Sequence, residues 1–404
     1  MKFDITDTLF ALSFGLDCVE HDLIGVTTHH GKRVACLSWH MGHFLGLSPA
    51  ELADLCAAAI LHDNALTQFI HTELSAGQTL SNMKQQFDIS AHCVEGEENV
   101  SHLPIYPQIK GAVLYHHEHA DGSGPLGFAW KDIPLYARII HLADTIDAAF
   151  DCSHITPQKQ TAIISFIQQN TNHLFDIDCS NAFLSSVKDL QYQEMANEKI
   201  DIFLKELIPS NMIDTSSSQL KDFASLFAKI IDYKSEFTCN HSLGIAEKAR
   251  EMGAYYGYDE EKQTKLYFAG CLHDIGKLVI DRDVLEKPDK LTDTEYIHIQ
   301  THAYYTFYML NSIRGLRDIT SWASNHHEKL DGTGYPFGKK APELSKDDRL
   351  MGCIDIYQAL SEDRPYKPGM THQKSMDILY DMADKGKIDS DICHDIDLVF
   401  GNKL

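Results

Sequence analysis

His326-His327-Glu328-Lys329-Leu330-Asp331-Gly332-Thr333-Gly334-Tyr335-Pro336 is the stretch on which the reading of this chain turns. Two adjacent imidazoles at a predicted helix end run into a loop punctuated by glycine and proline, so ring nitrogens and exposed backbone converge on one point. Such a point suits a metal ion and a phosphate. An isolated His-His pair is equally at home on a solvated helix face, so the weight lies with its surroundings. Upstream stand His241, the pair His273-Asp274 followed by Ile275-Gly276-Lys277, and His302; downstream stands Asp355. These five histidines and two aspartates, set on separate predicted helices, are the ligand types a two-metal hydrolytic site needs.

The whole set occurs twice. His30 pairs with His241 and His62-Asp63 with His273-Asp274, each 211 residues apart; His92 pairs with His302 and His116-His117 with His326-His327, each 210 apart; Asp144 pairs with Asp355, again 211 apart. The flanking residues agree as well, His116-His117-Glu118 and Asp121-Gly122-Ser123-Gly124 matching His326-His327-Glu328 and Asp331-Gly332-Thr333-Gly334. Self-similarity at a fixed period signals duplication of a structural unit. The expected domains are 1–210 and 220–404, with a join in the Pro-, Ser- and Thr-rich residues 209–219, and helices over 156–207 that finish the first domain or bridge the two.

Apolar residues recur at three- and four-residue spacings over 50–62, 161–169, 197–207, 220–233, 243–255 and 375–383, whereas alternating patterns bounded by hairpin turns are scarce. The fold class is all-α. Ser48-Pro49-Ala50-Glu51 and Thr292-Asp293-Thr294-Glu295 read as capped helix starts.

With 404 residues the chain can bury two substantial cores, and 44% hydrophobic with 23% charged residues is the balance of a globular protein. A net charge of −23 disfavours a nucleic acid polymer or an anionic membrane as partner, but leaves room for a small anion held by metals and local cations. The first residues lack a basic stretch followed by an apolar core, and no run reaches the length of a membrane span, so the expected location is cytoplasmic. Ten cysteines carry no Cys-x-x-Cys pair, and Cys56, Cys271 and Cys353 sit in apolar helical runs, as reduced core thiols do.

The ordered series from His241 through Gly334-Tyr335-Pro336 to Asp355 and Arg364-Pro365-Tyr366-Lys367 resembles the HD-GYP family of cyclic-dinucleotide phosphodiesterases over about residues 220–404. The chain then reads as two tandem HD-type helical domains, the first degenerate. The resemblance implies two divalent metal ions (Fe, Mn, Ni or similar), Asp274 bridging them, His241, His273 and Asp355 completing one site and His302, His326 and His327 the other. It also assigns substrate contacts to Arg364 and Lys367. Family members with a third metal carry a glutamate one turn before the first histidine; here that position is Phe237, with Glu236 beside it.

Two such metals would turn a bridging water into hydroxide for in-line attack on phosphorus. Lys277, four residues beyond His273, is expected on the same helical face with its ammonium on the scissile phosphate, while Gly334, Tyr335 and Pro336 shape the pocket. In the first copy the chain reads Asn64-Ala65-Leu66 after His62-Asp63, so the lysine is missing, as is the tyrosine after Gly124. His30, His62, Asp63, His92, His116, His117 and Asp144 are therefore a candidate second metal set, poor at handling phosphate, in a regulatory or interface domain. Tandem members of this kind are similar to enzymes of 3′,3′-cyclic GMP-AMP, and cyclic di-GMP is the family's general substrate. A cyclic-dinucleotide sensor and an HD-type nucleotidase are the competing readings. The duplicated helical faces also suit packing of one copy on the other, or a homodimer.

Overall fold

Several helices begin where the sequence supplies a cap. The Ser48 hydroxyl accepts from the Glu51 amide and Glu51 answers with its carboxylate on the Ser48 amide at 2.8 Å, launching the helix Pro49–Ile60. Thr292 and Glu295 do the same for Asp293–Asn311, and Ser345 with Asp348 for Lys346–Ser361. Each box satisfies amide donors that a first helical turn leaves without intrahelical acceptors. The computed structural model describes all residues except 25–27, 76, 78–88, 187–194, 233–240, 288, 364–367 and 402–404. The fold is all-α: among the described residues, named strands are confined to Lys2–Asp4 and Met212–Asp214. No described helix is long and apolar enough to cross a membrane.

The chain divides into two compact units, Asp4–Ile213 and Asp214–Leu404, the latter joined by Met1–Phe3. In the unit Asp4–Ile213 the helix His30–Phe44 lies against Pro49–Ile60, Leu135–Phe150 and Ile177–Ser186. Val34, Leu55, Ala58, Ile139, Ile140 and Ile146 close its core. Two cations are buried there with carboxylates at hand: Arg33 Nε donates to Asp147 Oδ1 at 2.8 Å, and Lys32 Nζ lies 2.7 Å from Asp201 Oδ1.

In the other unit the helix His241–Tyr255 packs on Glu260–Leu272 and on Lys346–Ser361, and Ser217–Asp232 covers Glu260–Leu272 from another side. A Cβ on Gly270 would meet the backbone of Ala246, so these two helices touch backbone to backbone. The start of the chain finishes this core. Phe3 is fully buried, its ring centroid 5.6 Å from Phe223 and 6.3 Å from Phe268, and the Met1 ammonium donates to the Thr215 carbonyl. All nine described cysteines are thiols, eight of them buried.

Phe3→Ala is expected to destabilise the unit that includes residues 214–404 by about 3–5 kcal/mol through the cavity it leaves. Urea unfolding would read this as a lowered midpoint; a loss under about 1 kcal/mol would mean the ring is dispensable to that core.

Candidate metal and phosphate site

His273 ends one helix and Asp274 starts another kind of turn. The helix Glu260–Leu272 stops at His273, and Ile275–Val279 is a 3-10 helix. Gly276 explains the break: a Cβ there would collide with the His302 carbonyl and the Thr306 amide. In its absence Thr306 Oγ1 accepts from the Gly276 amide at 3.1 Å and donates to the His273 carbonyl at 2.9 Å, clamping the helix that carries His302 onto the His273-Asp274 turn. Lys277 is therefore not one turn along the same α-helix as His273, as its spacing suggested. It sits in the 3-10 turn, and its Nζ reaches Asp274 Oδ2 at 2.5 Å.

The remaining side chains arrive from separate elements. His241 opens its helix; His326 and His327 follow the helix Arg317–Ser324, whose cap Asn325 is tied through Nδ2 to Asp348 at 3.0 Å; Asp355 projects from the middle of Lys346–Ser361. They meet around Asp274. His273 Nε2 is 3.1 Å from Asp274 Oδ2, while His302 Nε2 and His326 Nε2 lie 3.3 and 3.9 Å from Oδ1. His241 Nε2 is 3.4 Å from Asp355 Oδ1 and His327 Nδ1 3.7 Å from Oδ2. His241, His273 and Asp355 form one group and His302, His326 and His327 another, each with ligand atoms within 4.8 Å of one another.

The outer ring nitrogens fix the tautomers. Nδ1 of His273, His302 and His326 donates to the carbonyls of Gly270, Ile299 and Ala323 at 2.8, 2.6 and 2.6 Å. A carbonyl only accepts, so each Nδ1 carries a hydrogen and each Nε2 is the nitrogen turned inward, as in metal-ligating histidines. His273 Nε2 has no hydrogen-bond partner although it is buried. The electrostatics agree. Burial pushes His326 down to about 3, with His273 adding to it, and lowers His302 and, more strongly, His327. Burial alone would raise Asp274; the imidazole of His273 and the ammonium of Lys277 overcome it and hold the carboxylate ionised well below its usual range. His241 differs, because burial is outweighed by the Asp355 and Glu362 carboxylates, which raise it to about 9. The donor set, imidazoles and ionised carboxylates around a buried His273 Nε2 that lacks a partner, fits divalent ions.

The glycine loop is built onto this cluster by Glu328, whose two carboxylate oxygens accept from the Phe337 and Lys339 amides at 2.7 and 2.9 Å. Gly334 passes so close to Glu328 and Lys329 that a Cβ would strike their backbone. Pro336 follows, and the Tyr335 ring comes to rest 4.7 Å from His327 and 6.2 Å from His302, its hydroxyl pushed well up by burial. Arg364, Lys367, Glu236 and Phe237 lie outside the described residues. Sequence reasoning missed Glu328, Thr306 and Glu362, the last accepting from His241 Nδ1 at 2.9 Å. Glu328 had a signal, since Glu118 recurs 210 residues earlier. Glu362 had none, because its counterpart comes from another position.

The first set converges in the same way. His62 Nε2 is 3.5 Å from Asp63 Oδ2, His92 and His116 Nε2 are 3.3 and 3.4 Å from Asp63 Oδ1, and His30 Nε2 is 3.1 Å from Asp144 Oδ1. His117 Nδ1 stands 3.8 Å from Asp144 Oδ2. His62 and His116 donate from Nδ1 to the carbonyls of Ala59 and Val113, and His30 donates to Asp147 at 2.6 Å. Glu118 grips the amides of Leu126 and Phe128 as Glu328 grips its loop. Where the other copy has Lys277, buried Leu66 fills the place, and Pro125 stands at the position of Tyr335.

Comparison with known proteins agrees with this arrangement. The chain is 28% identical over 398 residues to the 3′3′-cGAMP-specific phosphodiesterase 1 of Vibrio cholerae, covering 96% of this chain and 90% of that one. It is 26% identical to the 3′3′-cGAMP-specific phosphodiesterase 3 of the same organism, covering 93% and 90%. A cyclic di-GMP phosphodiesterase of Pseudomonas aeruginosa matches at 31% over 163 residues, 40% of this chain and 39% of that one. The crystal structure of a Vibrio cholerae cyclic GMP-AMP specific phosphodiesterase superposes with a TM-score of 0.68 at 22% identity over 100% of this chain and 99% of that one, which speaks for a shared fold. HD domain phosphodiesterases are metal-dependent, and both histidine-aspartate clusters here can hold ions. The HD domain profile matches residues 22–178 and 225–392, together more than half of the chain, which therefore belongs to the HD domain family.

Proposed function

We propose that the chain is a phosphodiesterase that opens a cyclic dinucleotide to the linear form at the cluster around Asp274, with 3′,3′-cyclic GMP-AMP as the first substrate to test and cyclic di-GMP as the second. The observation that carries this reading is the position of Asp274. One carboxylate faces the two groups of histidines at once and has the Lys277 ammonium 2.5 Å away. Asp274 would be shared by two divalent ions, one also held by His241, His273 and Asp355 and the other by His302, His326 and His327. Such a pair lowers the pKa of a water and offsets charge on the phosphate.

The chain's own residues do the rest. Lys277, with its Nζ 2.5 Å from Asp274 Oδ2, is placed to put an ammonium on the non-bridging phosphate oxygens, where charge grows in the transition state. Glu362 holds the His241 ring by Nδ1 so that Nε2 keeps its aim. The loop pinned by Glu328 presents Tyr335 as an aromatic wall beside His302 and His327, a surface on which a nucleobase can stack. The Gly-Tyr-Pro loop and the lysine favour a phosphodiester substrate over both the nucleotidase and the sensor readings. A His-rich set of this kind suits Fe, Mn, Ni or similar ions.

Product analysis with 3′,3′-cyclic GMP-AMP, cyclic di-GMP, cyclic di-AMP and a dNTP panel in Mn²⁺ is expected to yield a linear dinucleotide from a cyclic one, and His273→Ala/Asp274→Ala should abolish it. Turnover of the dNTPs alone would overturn the reading. Lys277→Ala should cost about 100- to 1000-fold in kcat with a much smaller change in KM, since its contact strengthens in the transition state.

Metal loading should move protons. In the ion-free chain His241 has its pKa raised to about 9 against an unfolded value of about 6.5. Its proton therefore adds stability that is fully present below about pH 6.5 and is lost as pH rises through about 9. An ion on Nε2 displaces that proton, so uptake at about pH 7.5 releases it, and the release fades above about pH 9. Calorimetry in buffers of different ionisation enthalpy measures the release; equal release from wild type and Glu362→Gln would remove Glu362 from the account.

A further inference from the structure

Cys93 has no counterpart in the copy that carries Lys277. It follows His92 directly, and the residue after His302 is Ala303. The thiol is buried among histidines: its Sγ lies 3.7 Å from His92 Nε2 and 3.8 Å from the Nδ1 with which His116 donates to the Val113 carbonyl, so on the His116 ring it is Nε2 that is left to ligate. Two ligands of one tetrahedral ion, with bonds of about 2.05 Å to nitrogen and about 2.3 Å to sulfur, sit about 3.6 Å apart. His92, Cys93, His116 and His117 can each offer a ligand atom within 4.8 Å of the others. A second observation points to the same place, because His116 Nε2, on a fully buried ring, has no hydrogen-bond partner and faces Asp63 Oδ1 at 3.4 Å.

We propose that the unit Asp4–Ile213 holds a metal ion of its own on His92, Cys93, His116 and His117, a thiolate-containing site that fastens the fold instead of turning over substrate. Three imidazoles and a thiolate supply four protein donors, and sites closed by four protein donors are structural, whereas catalytic ones keep an open position; Asp63 Oδ1, 3.3 and 3.4 Å from the Nε2 atoms of His92 and His116, lies against the same place. The surroundings agree, since buried Leu66 takes the place of the lysine and Pro125 that of the tyrosine. A sulfur donor also changes which ion is favoured, toward Zn²⁺ or Co²⁺ and away from Mg²⁺ or Mn²⁺. As the metal-sulfur bond forms, the thiol proton leaves to solvent, with no change of oxidation state. The site couples two segments far apart in sequence, the helix Ile89–Val100 and the turn at residues 116–117.

The test is Co²⁺ substitution of the full-length chain, stripped with a chelator and reloaded. Wild type should show a sulfur-to-cobalt charge-transfer band in the near ultraviolet, which His273→Ala/Asp274→Ala should keep and Cys93→Ala should lose. Cys93→Ala copies the residue of the other unit and is the variant least prone to misfold. It should also give up Zn²⁺ to a competing chelator at least about tenfold more readily. Absence of the band from wild type, or a band of equal strength in Cys93→Ala, would overturn the proposal. The spectra of wild type and of the His273→Ala/Asp274→Ala variant decide the matter even if Cys93→Ala does not fold.

Discussion

Everything in the unit around Asp274 is arranged to keep one ionised carboxylate buried. An isolated carboxylate out of water is costly enough that it would take up a proton instead. Asp274 escapes this because His273, Lys277 and His302 surround it, and the imidazoles are held in turn by carbonyls at Gly270, Ile299 and Ala323. Each carbonyl stands three residues before its ring, Gly270 and Ala323 in the last turns of their helices and Ile299 within Asp293–Asn311. For His273 and His326 the site is thus an outcome of where helices end, and a shift of either terminus would turn an Nε2 away. Net charge alone, at −23, would repel an anionic substrate. Cations and metal ligands gathered at one point reverse that locally.

The two copies solve the same packing problem with exchanged parts. At the turn after the His-Asp pair, Gly276 lies against Thr306, while the corresponding places hold Ala65 and Gly96, where a Cβ on Gly96 would meet Val113 and Asn64. The missing Cβ has moved from one side of the contact to the other. At the first histidine, Gly244 and Gln358 press together in one unit, and Arg33 with Asp147 occupy those positions in the other as a buried ion pair. That ion pair has a second use, because Asp147 also accepts a hydrogen bond from His30 Nδ1, the duty that Glu362 performs for His241. Coordination geometry has been preserved while its supports were rebuilt.

Much of this was legible in the sequence, and what was not has definite causes. The paired ligands announced themselves by a repeat offset of 210 to 211 residues, and capping boxes at Ser48 and Thr292 marked helix starts that the structure contains. The placement of Lys277 was misread because helical spacing assumes a continuous helix, and only the close approach of Gly276 to the His302 helix shows why it stops. The burial of Phe3 in a core built by residues 214–404 was invisible for a different reason: it joins the two ends of the sequence, and no local pattern reports contacts of that separation.

A duplicated domain is free to lose chemistry once its twin retains it, yet the first copy has lost selectively. The lysine, the tyrosine and the small residue after His92 have changed, to Leu66, Pro125 and Cys93, while all seven ligand positions and the loop-gripping Glu118 are intact. Random decay would strike buried histidines as readily as a half-exposed tyrosine, and an unpartnered buried imidazole costs stability unless something occupies it. Seven retained donor positions with an apolar residue in the lysine's place fit the proposal that this copy binds an ion and does not act on a phosphodiester. One fold would then serve twice, once to position a reaction and once to hold the protein that carries it.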